Sequence, residues 1–195
     1  MNNHRYLLRP DRRGMTLIEM MVALSIFAVV MGVVFSFLGN SRRSYNSTSE
    51  RADYQQSLRA VISLLTREVR SAGCDPTDAG FDRFVVADDQ HLRLLMDLDG
   101  DGDTSDSNPD EDVTWQYLAA AEELQRNGGL GAQTVLRDVT DVTFAYFDDD
   151  GNPLVATPLS AADRELVRYV DISLTGESGT GEEISYRTRI LIRNG

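Results

Sequence analysis

Hydrophobic and polar positions divide the chain into three stretches with different periods. Residues 15–38 are apolar at almost every position, with Thr16, Glu19, Ser25 and Ser36 as the polar exceptions. Further on, Tyr54, Leu58, Val61, Ile62, Leu65 and Val69 recur at steps of three and four, while Gln55, Arg59, Ser63, Arg67 and Arg70 fall between them. That spacing places the apolar set on one face of a helix. No proline lies between Met15 and Gly73, and Gly32 and Gly39 each weaken a helix by only about 1 kcal/mol relative to alanine. Gly73 is a C-cap residue type, and Asp75-Pro76 stops a helix because the residue before proline disfavours the α region. The pattern therefore predicts one helix of about 60 residues over 15–73. Its first part, 15–38, is apolar all round, and its second part, 39–73, is amphipathic.

After Cys74 the period shortens to two. "RFVV", "HLRLLMDL" and "DVTWQYL" read as strands, the last with Val113, Trp115 and Tyr117 alternating against Thr114 and Gln116. "ELQR" and "TVLRDV" are shorter strand candidates. "VTFAYF" runs into "DDDGNP", where Asp150-Gly151 signals a turn and Pro153 fits a longer loop equally well. "ELVRYVDISLT" and "ISYRTRILIRN" complete the set, joined by "GESGTGEE". Val170, Ile172 and Leu174 share one face, as do Ile184, Tyr186, Thr188, Ile190 and Ile192. One sheet face then covers the helix stripe. The expected class is α+β, a long N-terminal helix, transmembrane then amphipathic, packed on an antiparallel β-sheet domain over 74–195.

A run as long as 15–38 suffices to cross a bilayer. Arg5, Arg9, Arg12 and Arg13 precede it and Arg42 and Arg43 follow. The excess before the run orients the N-terminus to the cytoplasm and the C-terminal domain across the membrane. The run exceeds the 7–15 apolar residues of a secretory signal and has no small-residue cleavage site after it. One carboxylate, Glu19, sits inside it, where a charge at the bilayer centre costs about 2.5–3.5 kcal/mol on insertion scales. A simple anchor has no need of it. Either Glu19 reaches back to the cytoplasmic interface or a partner supplies a cation.

Nineteen basic and 31 acidic residues give a net charge of −12, and every basic residue is arginine. Nucleic acid is not expected as a partner, since phosphate contacts need clustered cations. One cysteine, Cys74, excludes an intrachain disulfide, and it reads either as a buried free thiol or as a reactive one. Two histidines, His4 and His91, are too far apart in sequence for a His-based centre. "GLGAQT" at 129–134 has no lysine and opens no helix, so it is not a phosphate loop. No nucleophile–base set emerges, and an enzyme is not expected.

The segment "RRGMTLIEMMVALSIFAVVMG", 12–32, resembles the class III signal of type IV pilins and type II secretion pseudopilins: a basic leader, a glycine before the cut, an apolar helix, and Glu as the fifth mature residue. Met15 replaces the commoner phenylalanine at the first mature position, and the mid-helix proline of major pilins is absent. "QQSLRAVISLLTREVRSAGCDP", the acidic loop, "VTFAYFDDDGNP" and the terminal "RTRILIRN" together resemble PilW-type minor pilins, close in layout to GspJ-type pseudopilins. The resemblance implies a pilin fold with a leader over 1–14. It implies cleavage by a prepilin peptidase between Gly14 and Met15, and N-methylation of Met15. Glu19 would face the amino terminus of a neighbouring subunit and set assembly register. The implied partners are other minor and major pilins or pseudopilins and an inner-membrane assembly platform. The implied location is the inner membrane, single-pass, with the globular domain periplasmic, then the tip of a pilus or pseudopilus. A minor pilin that initiates or caps a type IV pilus is the expected function; the alternatives are a type II secretion pseudopilus subunit and a membrane-anchored calcium-dependent adhesin.

The loop "DLDGDGDTSDSNPDED", 97–112, holds eight acidic residues and no arginine. Oxygen ligands spaced by two are the pattern of a calcium loop. With Asp97 first, Asp99 and Asp101 take positions 3 and 5 and Gly102 the turn, but position 12 is Asn108. With Asp99 first, Asp101, Asp103 and Asp110 follow, but Thr104 takes the glycine position. Asp97, Asp99, Asp101, Asp103 and Asp110 are the candidate ligands, and a solvated acidic turn is the competing reading.

Overall fold

The computed structural model describes residues 14–193. The chain divides into two compact units, Met1–Asn46 and Ser47–Gly195. Helix α1, Leu17–Ser71, begins in the first and ends in the second. In the first unit its side chains stay exposed throughout, and no atom lies within 4 Å of where a Cβ on Gly32 or Gly39 would sit. The leader arginines Arg5, Arg9, Arg12 and Arg13 lie outside the described residues. The helix is long and apolar enough to cross a membrane.

In the second unit α1 buries Leu58, Val61, Ile62, Leu65 and Val69, the expected stripe, together with Glu68. The helix ends at the expected place. Gly73 adopts φ +71°, a conformation a side chain resists, and its N–H donates to the Leu95 carbonyl at 2.9 Å.

Strands β1 (Phe84–Ala87), β2 (His91–Leu95), β3 (Asp112–Leu118), β4 (Glu123–Asn127) and β5 (Ala132–Leu136) form an antiparallel sheet in chain order. Strands β6 (Val139–Phe147), β7 (Pro153–Leu154), β8 (Tyr169–Glu177) and β9 (Glu183–Leu191) form a second, in the order β7-β6-β8-β9. The single sheet face expected from the pattern is thus two sheets. The corner is at Asp138, whose φ of +57° breaks "TVLRDV" after Leu136 and starts a new strand at Val139. The corner is tied down by the Val139 N–H donating to the Glu122 carbonyl at 2.9 Å and by the Tyr117 hydroxyl donating to the Val139 carbonyl at 2.9 Å.

A second departure is helix α2, Ala161–Leu166, where the start of a strand at Glu165 was expected. Ser160 caps it: its hydroxyl accepts from the Asp163 N–H and donates to the Asp163 carboxylate at 2.7 Å. This local pairing outweighs the strand propensity of the residues that follow.

The core of the second unit gathers Trp115, Phe84, Tyr146, Phe144, Leu58 and Leu65. Each fully buried apolar side chain of that size contributes about 1.5–3 kcal/mol over its exposed state. Within this apolar volume lies one charged network. Glu68 of α1 is buried; its Oε2 accepts from Trp115 Nε1 at 2.6 Å and its Oε1 from Arg126 Nε at 2.8 Å. Arg126 also donates to Asp110 Oδ2 at 2.8 Å. Helix and first sheet are joined there by bonds that fix their rotation. Nearer the helix start, the Tyr54 hydroxyl donates to the Asp138 carbonyl at 2.8 Å. Gly176 leaves room for it, since a Cβ there would overlap the Tyr54 hydroxyl.

Arg126→Met strands the Glu68 charge in the core, and chemical denaturation should read a loss of about 3–5 kcal/mol. Adding Glu68→Gln recovers part of it. Burial, then the Asp138 charge, pushes the Tyr54 phenol up to about 12. The folded value lies above the unfolded one, so this contribution is complete below about pH 10 and is lost as pH rises towards about 12. Stability measured across this alkaline range should fall, and less steeply in Tyr54→Phe.

Candidate functional site

Gly14, Met15 and Thr16 precede α1 and are exposed, so the Gly14–Met15 peptide bond is reachable without unwinding the helix. Thr16 and Glu19 then cap it reciprocally. The Thr16 N–H donates to Glu19 Oε2 at 3.1 Å, the Thr16 hydroxyl to the same oxygen at 3.0 Å, and the Glu19 N–H to Thr16 Oγ1 at 3.3 Å. This is a capping box, in which a Ser or Thr and a Glu or Gln three residues on satisfy each other's backbone donors. Thr16-Leu-Ile-Glu19 spells it in the sequence, a signal masked by the apolar run around it. Glu19 therefore has a task within its own chain in addition to any outside it. Met15, Leu17, Ile18 and the apolar residues after them project around the helix, exposed.

The acidic loop joins β2 to β3. Its first carboxylate, Asp97, is 0% exposed: Oδ1 accepts from the Gly100 N–H at 2.6 Å and Oδ2 from the Gly102 N–H at 3.0 Å. Gly102 has φ +92°, as the turn in the first register requires. Asp99 and Asp101 follow the spacing-by-two pattern, each accepting from the N–H two residues on, at 3.1 and 2.9 Å. The structure brings Asp97, Asp99 and Asp101 into the loop's acidic groups and leaves two of the five candidates out. Asp110 is turned to Arg126. Asp103 accepts from the Ser105 N–H and hydroxyl, bonds that hold its carboxyl below its ordinary range.

Two residues that neither register contained take their places. Glu111 is 0% exposed, and carboxylate oxygens of Asp97, Asp99 and Glu111 lie within 4.8 Å of one another. Oxygens of Asp99, Asp101 and Asp106 form a second such group, sharing Asp99. Desolvation, then the charges of Asp101, Asp99, Asp103 and Glu111, pushes the Asp106 carboxyl up. The signal that would have found Glu111 is the turn before it. Ser107 pairs with Asp110, so the chain doubles back and returns Glu111 to the start of the loop, where its N–H donates to the Asp106 carbonyl at 3.1 Å.

Cys74 is half-buried against the core. His91 sits in β2 opposite Gln116.

Residues 9–35 match the family model of the prokaryotic N-terminal methylation motif. Gly14, Met15, Thr16 and Glu19 all fall inside this methylation motif. The chain is also similar to the pilin-like protein PilA3 of Thermus thermophilus. The two are 29% identical over 114 residues, covering 58% of this chain and 45% of that protein. The chain thus matches less than half of the relative's length. Methylation motif, apolar helix and relative together support a type IV pilin-like protein anchored in a membrane.

Proposed function

We propose that this chain is a minor pilin subunit that joins other pilins in the inner membrane and helps initiate or cap a type IV pilus. A prepilin peptidase cleaves between Gly14 and Met15, and the new Met15 amine is methylated. The apolar part of α1 holds the subunit in the bilayer, with the unit from Ser47 onward on the periplasmic side. There Glu19 meets the amino terminus of a neighbouring subunit, and the pair sets axial register. The observation that carries this reading is the methylation motif ending inside a helix that continues, without a break, into a folded sheet domain. A cleaved secretory signal would end before the domain. A carboxylate in hydrocarbon is stable there once a partner supplies the opposite charge. The single cysteine fits a minor subunit, since the major ones resembled here usually carry a disulfide loop.

The capping box supplies a sharp test, because it accepts glutamine as well as glutamate. Glu19→Gln keeps the cap and removes the charge; Thr16→Val keeps the charge and removes the cap. If Glu19 acts by pairing with an amine, Glu19→Gln abolishes recovery of the protein in sheared fibres as fully as Glu19→Ala does. Thr16→Val still assembles, at reduced yield. Normal recovery of Glu19→Gln would show that capping is the whole of its role and defeat the register proposal.

A further inference from the structure

We propose that Asp97, Asp99 and Glu111, extended through Asp99 to Asp101 and Asp106, form a calcium site in the loop between β2 and β3. Glu111 carries the argument. It is 0% exposed, and its Oε1 accepts from the Leu98 and Asp99 N–H groups at 2.7 and 3.3 Å. Its Oε2 is buried and, among the described residues, has no hydrogen-bond partner. A buried carboxylate oxygen without a donor is an expensive arrangement unless a cation occupies the space it faces. Asp97, equally buried, lies within reach of the same point. Among the described residues no arginine forms an ion pair with Asp97, Asp99, Asp101, Asp106 or Glu111. Elsewhere in this fold a buried acid has one: Glu68 has Arg126.

The donor set identifies the ion class. All five groups are carboxylates, with no thiolate or imidazole among them, which selects a hard cation. Their number and their mounting on a glycine-containing loop favour calcium, which takes six to eight oxygens in flexible geometry, over magnesium, which demands a tight octahedron and keeps its waters. The loop opens as a calcium loop does, with Asp97, Asp99, Asp101 and Gly102 at positions 1, 3, 5 and 6. It closes differently. Position 12 is Asn108, and the Ser107–Asp110 turn folds out the extra residues so that Glu111, three positions later, supplies the closing carboxylate. The ion would tie this loop to the segment after α1, because the Asp97 N–H donates to the Cys74 carbonyl at 2.7 Å and Thr77 Oγ1 to Asp97 Oδ2 at 3.4 Å.

The test uses the full chain in detergent micelles, stripped with chelator and titrated calorimetrically with calcium and, separately, with magnesium. One calcium should bind in the range of about 10⁻⁴–10⁻³ M, as in extracellular modules, and magnesium at least tenfold more weakly. Saturating calcium should raise Tm by about 5 °C or more. Asp99→Asn and Glu111→Gln should each weaken calcium binding at least tenfold, while Asp103→Asn stays within twofold of the parent. In chelator, Glu111→Gln should melt no lower than the parent, because it removes a buried charge that has no counter-ion there. Absence of both heat and thermal shift at about 10 mM calcium, well above the expected dissociation constant, would overturn the proposal. So would calcium binding left intact by Asp99→Asn and Glu111→Gln, or a Glu111→Gln protein that melts lower than the parent in chelator and in calcium alike.

Discussion

One constraint organises this molecule: the two ends of a single helix need different surroundings. From Leu58 to Val69 the apolar side chains of α1 form a stripe, and the sheets of the same unit bury it. Between Met15 and Leu38 they point in every direction and are exposed within their own unit. No amphipathic partner can cover a helix that is apolar all round. Lipid can, and so can the apolar helices of other subunits, which makes membrane insertion and helix-to-helix assembly two answers to one physical demand. The methylation motif at 9–35 sits at the N-terminal edge of that surface.

Charge is handled in three ways along the chain. At the surface, arginine and aspartate pair side to side, as Arg189 does with Asp171 while lying 4.4 Å over the Phe147 ring. Exposed pairs of this kind contribute little to stability. In the core, Glu68 is held by Arg126 and Trp115, and that network orients α1 against the first sheet. In the loop from Asp97 to Glu111, acids gather with no arginine. The proposed calcium ion would restore there the balance that Arg126 provides in the core. The proposed pairing of Glu19 with a neighbour's amine follows the same rule in the bilayer.

Much of the architecture was legible in the residues, for identifiable reasons. The helix is long, proline-free and periodic, and Gly73 ends it by a conformation other residues avoid, so both its course and its stop could be read. Strand β3 came out at its expected bounds because Val113, Trp115 and Tyr117 alternate cleanly. The division into two sheets was not legible. It depends on Asp138 taking a positive φ inside a run that otherwise reads as strand, and no glycine marks the corner. Helix α2 was hidden because its start signal, Ser160 with Asp163, precedes residues of strand-like composition. At the acidic loop, spacing alone found Asp97, Asp99 and Asp101. It also nominated Asp103 and Asp110, because sequence distance cannot show that Asp110 is committed to Arg126. Glu111 was invisible for the converse reason, since only the folded turn at Ser107–Asp110 brings it back.

The capping box at Thr16 and Glu19 sharpens the central claim, because it gives a purely local account of an acid in an apolar run. The assembly account needs more: the leader must be removed so that the Met15 amine exists. Intact-mass and N-terminal peptide analysis of the protein recovered from native fibres or membranes measures this directly. A chain beginning at N-methylated Met15 is the predicted result. Residues 1–14 still attached in assembled material would contradict it.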